Sequence, residues 1–171
     1  MDTKTAPGPA TPHPKDNKRA VDAPGVLIFP PFLFVGAFLL GLAPQLLWPV
    51  HLLGPWPARV IGVVLVLVSG SIAIPAVRTM KRAGTNVDPA QPSTTIVRTG
   101  PFRFTRNPIY LANTILFLAL SFLFNSVWPL SLLIPMLLVL YWGVIRREER
   151  YLEAKFGAAY LSYKAQVRRW I

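Results

Sequence analysis

From Ile109 to Ile145 the chain carries no charged side chain. A helix needs roughly 20 apolar residues to cross the hydrocarbon core of a bilayer. A run of this length can therefore cross it twice. Asn125, Ser126 and Pro129 interrupt the run near its centre, and residues of this kind make turns. The spacing predicts a helical hairpin over 109–125 and 128–145, each arm short enough for a re-entrant pair as well as for full crossings. Two further apolar blocks precede it. Val26 to Trp48 is broken by Pro30, Pro31 and Pro44, and Ala58 to Val77 has no charge after Arg59. The fold class that follows is an all-α integral membrane protein of about four transmembrane helices with a cytoplasmic C-terminal amphipathic helix. With 53% hydrophobic and 15% charged residues, the chain is too apolar for an ordinary soluble domain.

Charge sets the expected orientation. If the N-terminus, the 78–106 loop and the C-terminal segment share one side, that side holds every Lys and Arg except Arg59. This is a strong positive-inside pattern, and it places both termini in the cytoplasm, in a bacterial inner membrane. The same pattern, with attraction to anionic headgroups, accounts for the net charge of +11 without nucleic acid. Residues 1–25 are polar and proline-rich and are expected to form a disordered cytoplasmic tail. Residues 26–78 are expected to hold two transmembrane helices. There is no cysteine, and the histidines, His13 and His51, fall on opposite sides of the membrane in this topology. Thiol chemistry is excluded, and neither a metal site nor a Ser–His relay is expected.

Chemistry is left to two cytoplasmic polar segments. In 79–108, Gly, Pro, Asn and Ser are dense, so a structured loop is expected. Pro108 suits the first turn of the helix that follows, with Asn107 as its cap. In 145–171, Ile145, Leu152 and Phe156 share one helical face with Glu149 at its centre and Glu148 on its flank. A carboxylate on an apolar stripe beside a membrane needs a partner. That partner is either an arginine of the loop, Arg106 being a candidate, or a cationic ligand. Gly157 is expected to end the helix.

These segments carry a resemblance. "TGPFRFTRNPIYLA", then a hairpin, then "REERYLEAKFGAAYLSYKAQVRRWI" resembles the isoprenylcysteine carboxyl methyltransferase and phospholipid methyltransferase superfamily of integral membrane methyltransferases. Those enzymes have an Arg-His-Pro-x-Tyr element, a helical hairpin, a Glu-Glu pair and a Phe-Gly-x-x-Tyr-x-x-Tyr tail. Asn107 stands where better-known members have His. An amide donates and accepts hydrogen bonds but does not titrate near neutral pH, so the position is expected to hold a ligand rather than move a proton.

The resemblance implies that 79–171 is a catalytic region binding S-adenosyl-L-methionine. It assigns cofactor contacts to Gln91, to Thr94, Thr95, Ile96 and Val97, to the turn Gly100, Pro101 and Phe102, to Arg106, Asn107, Pro108 and Tyr110, and to Glu148 and Glu149. It places catalytic roles on Glu148 and on Arg146 or Arg147. The implied substrate is lipophilic, an isoprenylcysteine-like carboxylate or a phospholipid headgroup, drawn from the membrane lipids. A small-thiol S-methyltransferase, an NADPH-dependent isoprenoid or sterol-type reductase, and a non-enzymatic membrane protein are the other readings. Cofactor titration separates the last two from the first.

Overall fold

The computed structural model describes residues 23–170. Both chain termini, and with them most of the expected 1–25 tail, lie outside the described residues. In chain order the elements are α1 (Pro30–Leu42), extended by a 3-10 turn (Ala43–Leu46), α2 (Pro55–Arg82), a 3-10 turn (Gly100–Arg103), α3 (Pro108–Leu123), α4 (Trp128–Ser131), α5 (Leu133–Leu140), a π-helical turn (Tyr141–Ile145), α6 (Arg146–Phe156) and α7 (Ala158–Gln166). No strand occurs among the described residues. Proline opens α1, α2 and α3, where its missing N–H and fixed φ cost nothing. Gly157, at φ +52°, separates α6 from α7 in a backbone conformation that side chains resist.

Of the four expected crossings, helix length and apolarity bear out one. Among the described residues, only α2 is long and apolar enough to cross a membrane by itself; Pro30–Leu46 and Pro108–Leu123 are shorter apolar helices. The first hairpin arm appears as α3, but the second is broken after Ser131. Pro135 explains the break. It has no N–H for the Ser131 carbonyl, and its ring would clash with that group in a continuous helix. The chain restarts at Leu133, and Met136 N–H bonds to the Leu132 carbonyl at 2.9 Å.

The α2–α3 pair forms the centre of the fold through small residues. Ala58, Gly62, Ser69 and Ala76 of α2 are buried, as are Ala112, Ala119 and Ser121 of α3. A Cβ on Gly62 would lie 2.6 Å from Leu123 Cγ, and Ser69 Oγ donates to the Ala112 carbonyl at 2.8 Å. Close backbones and a buried hydroxyl bond are how helices associate where lipid removes the hydrophobic incentive. The opposite face of α2 exposes Val60, Val63, Val64 and Leu67, the surface expected of a helix that meets lipid.

One end of the bundle is tied by the hairpin tip. Asn125, at φ +48°, accepts at Oδ1 from the N–H groups of Leu52 and Leu53, both at 3.1 Å, and donates to the Leu53 carbonyl at 2.9 Å. At the other end, the segment after α2, the turn at Gly100, α6 and α7 converge.

Candidate functional site

Local chemistry at this end begins with Gly100. It has φ +60°, and a Cβ there would lie 2.8 Å from Thr79 Oγ1. Only glycine lets the loop pass this close to the end of α2. The turn then buries Phe102, whose carbonyl accepts from the hydroxyl of Tyr163 on α7 at 2.8 Å. Thr105, Arg106 and Asn107 follow in an extended stretch that the C-terminal segment crosses. Arg106 N–H donates to the Arg168 carbonyl at 2.9 Å, and Thr105 Oγ1 and Asn107 Nδ2 both donate to the Arg169 carbonyl at 3.0 Å. Asn107 holds the N-cap position of α3, but its side chain makes no capping bond; the amide is spent on Arg169 instead.

The acidic pair arrives from the other side, and its two members differ. Glu149 is buried and accepts a two-pronged contact from Arg169, Nε to Oε1 at 2.9 Å and Nη2 to Oε2 at 2.8 Å. Arg106 Nη2 lies 3.3 Å from Oε1. Burial alone would raise its pKa, but the hydrogen bonds from Arg169 and the charges of Arg106, Arg169 and Lys164 outweigh it and hold the carboxyl below its ordinary value. Glu148 has no cation among the described residues. Its Oε2 accepts from the Tyr110 hydroxyl at 2.9 Å. Burial among protein atoms, with Glu149 alongside, raises its pKa to about 6 despite that bond.

These groups line a small cavity of about 70 Å³ with Thr95, Ile96, Val97, Phe102 and Asn107 on its walls. A second cavity of about 50 Å³ adjoins it through Phe102, Arg106, Asn107 and Glu148 and adds Pro108 and Tyr110. Arg106 borders both. Its side chain is 7% exposed, yet Nε and Nη1 have no hydrogen-bond partner among the described residues. Buried guanidinium donors left unmet are costly, and this side chain lines both cavities.

Most of the residues singled out from the sequence are thus brought together, and some are not. Gln91 is exposed in the 84–99 segment, and Thr94 turns its hydroxyl back to the Gly84 carbonyl. Neither Gly100 nor Pro101 lines the cavity; the pair shapes the turn. Arg146 stacks over the Trp142 ring at 4.6 Å. Arg147 donates to the Gly25 carbonyl at 3.2 Å and lines a separate open hollow with Pro24, Arg150 and Tyr151. Sequence reasoning missed Met80, Thr85, Ser93 and Leu152, which line the cavity, and Tyr160 and Tyr163, which close it from α7. It also missed Arg169 as the main partner of Glu149. The Phe-Gly-x-x-Tyr-x-x-Tyr pattern was a usable signal for the two tyrosines, and Arg169 lies at the end of the same segment.

An uncharacterized protein of Haemophilus influenzae is 44% identical over 64 residues, covering 37% of this chain and all of that protein. No solved structure matches. The family model described as phospholipid methyltransferase matches residues 57–159, which includes all but the first two residues of α2, the Gly100 turn, α3 and the acidic pair but stops short of Tyr160, Tyr163 and Arg169. A match over more than half of the chain shows that it belongs to the phospholipid methyltransferase family.

Proposed function

We propose that this protein transfers a methyl group from S-adenosyl-L-methionine to a lipophilic acceptor at the cytoplasmic face of a membrane. The observation that carries this is the buried Arg106, which has two donors unmet among the described residues and lines a cavity together with Glu148. An arginine fork suits a carboxylate, and a carboxylate without a cation suits an ammonium or ribose hydroxyls. The amino-acid end and ribose of the cofactor present these groups. Thr95, Ile96 and Val97 supply a backbone edge, and Phe102 an apolar wall for the base. The cavity volume is below the several hundred Å³ that such a ligand needs. The 84–99 segment, which has no helix, is the wall that must yield.

When bound, the cofactor supplies an electrophilic methyl on sulfur. The chain's part is to align the acceptor and keep water out. Tyr110 and Glu148 lie on the acceptor side of the cavity. With a pKa raised to about 6, Glu148 is a better base than an ordinary carboxylate and can accept a proton from an amine acceptor. An acceptor that is already anionic would not need it. The orientation, with both termini and this end of the bundle cytoplasmic, follows from the distribution of Lys and Arg.

Incubating the purified protein with methyl-labelled cofactor and a membrane lipid extract should move label into the organic phase, and the cofactor should raise the melting temperature. Absence of both effects, or stabilisation by NADPH instead, would end this reading.

A further inference from the structure

After α7 the chain runs extended, with Val167 at φ −122° and ψ 130°. This last segment touches both halves of the polar wall of the cavity. The Arg169 carbonyl accepts from Thr105 Oγ1 and Asn107 Nδ2 in the stretch before α3, and the Arg169 guanidinium binds Glu149 of α6. Trp170 packs against the apolar core and anchors the segment.

The two arginines around Glu149 are used differently. All three nitrogens of the Arg169 guanidinium are engaged. Nε and Nη2 take one carboxylate oxygen each, and Nη1 donates to the Tyr141 hydroxyl at 3.4 Å. Arg106 meets Glu149 through Nη2, 3.3 Å from Oε1, an oxygen that already accepts from Arg169. Its Nε and Nη1 are unmet among the described residues. A carboxylate matches one guanidinium fork, and Arg169 holds that place. Two cations thus share one anion. The other charged groups nearby do not correct the excess, since Glu148 is bonded to Tyr110 and Lys164 is paired with Glu153. The surplus charge falls on Arg106, the more deeply buried arginine. Arg106 lines both cavities, and Arg169 lines neither.

We propose that Arg169 is a positioning residue: by occupying Glu149 it keeps the Arg106 fork free for the carboxylate of the ligand, and it does not touch the ligand itself. A buried cation without a full partner is unfavourable, and an incoming anion relieves that cost. Without Arg169, Arg106 is the remaining arginine beside Glu149. Its fork would turn onto both carboxylate oxygens, and the subsite for the ligand's carboxylate would close. The identity of the ligand rests on the methyl-transfer reading, whereas the competition of two arginines for Glu149 does not.

The test is equilibrium dialysis of the full chain in detergent against S-adenosyl-L-homocysteine and its decarboxylated analogue, which keeps the base, ribose and amino group. Wild type should prefer the carboxylate-bearing ligand about tenfold or more, the scale of one charge-assisted bond. Arg169→Gln should abolish that preference while binding the decarboxylated analogue as wild type does. Arg169→Lys, which keeps the charge but has no fork, should recover part of it. A purely structural role would weaken both ligands alike; that result, or an unchanged preference in Arg169→Gln, would overturn the proposal. Equal binding of the two ligands by wild type would also overturn it and leave methyl transfer standing. If Arg169→Gln does not fold, Arg169→Lys decides: its preference should fall severalfold, and a full wild-type preference would refute the proposal. A second arm needs no ligand. Arg106→Gln should lower the melting temperature by several degrees more in the Arg169→Gln background, where Arg106 is the last arginine on Glu149, than in wild type. Equal drops in the two backgrounds would overturn the competition. Failure of wild type to bind either ligand, with the difference in melting intact, would count against methyl transfer and leave the competition standing.

Discussion

Replacing Glu149 by Gln separates a structural ion pair from a ligand contact. Three donor contacts converge on this carboxylate, two from Arg169 and one from Arg106. The side chains of Glu149 and Arg106 are each 7% exposed, and that of Arg169 is 29% exposed. Glu149→Gln preserves shape but removes the counter-charge, leaving the Arg106 guanidinium buried with almost every donor unmet. Breaking a buried pair in this way costs roughly 3–5 kcal/mol. At about 2–4 °C per kcal/mol for a chain of this size, the melting temperature should fall by about 6–20 °C. Arg169→Gln should cost less, about 1–3 kcal/mol, because Arg169 is nearer to solvent and Arg106 still neutralises Glu149.

The assay is thermal melting of wild type, Glu149→Gln and Arg169→Gln in one detergent, each with and without S-adenosyl-L-methionine. The geometry predicts a drop in the cofactor-free melting temperature for both variants, larger for Glu149→Gln. Unchanged cofactor-free melting, with the cofactor-induced shift lost, would show that Glu149 binds the cofactor directly and that the ion pairs carry no stability.

Glu148 gives a pH signature. Its pKa is raised, so the folded state holds its proton at a pH where the unfolded chain has lost it. Its contribution to stability is therefore greatest in acid and declines as pH rises through about 6. Cofactor affinity should run the opposite way, weakening below about pH 6 as the carboxylate is neutralised, and Glu148→Gln should flatten that dependence in a titration followed by intrinsic fluorescence. Glu149, with its pKa lowered, contributes stability that is present at neutral pH and lost on acidification below the ordinary carboxyl range. Arg106→Gln should weaken cofactor binding about tenfold or more, the scale of one charge-assisted bond, measured by equilibrium dialysis. Gly62→Leu should prevent α2 and α3 from meeting, because even a Cβ would lie 2.6 Å from Leu123, and the variant should be recovered as aggregate on size exclusion.

Much of this was readable from local pattern. Helix starts at Pro108 and the stop at Gly157 depend on residues that act within one turn, and both stand where expected. Periodicity placed Glu149 inward with Ile145, and both are buried. Partner choice was less readable, because it depends on residues far apart in sequence. Asn107 occupies the cap position, yet its amide reaches the Arg169 carbonyl across the fold. The sequence set Arg106 against a ligand as the partner of Glu149, and the structure adds Arg169, twenty residues further along the chain, beside Arg106.

The second hairpin arm shows how departures from regular helix serve the site. After the break forced by Pro135, the arm passes through the π-helical turn Tyr141–Ile145 before α6 begins. A π turn holds one residue more than an α turn, so it rotates everything beyond it by about 100° relative to a continuous α-helix. It also leaves a carbonyl free for other partners, and the buried Gly143 carbonyl accepts from Leu27 N–H at 3.1 Å, which ties the segment leading into α1 to this arm. The same turn directs Glu148 to Tyr110 and Glu149 to Arg106, while Arg146 and Arg147 are turned to Trp142 and Gly25. A uniform 3.6-residue period carried from Leu133 through Phe156 would assign these four side chains to the wrong faces. The position of α1 and the aim of the acidic pair are thus set by one irregular turn, which puts α1 and the polar cavity at Glu148 in a fixed relation to each other.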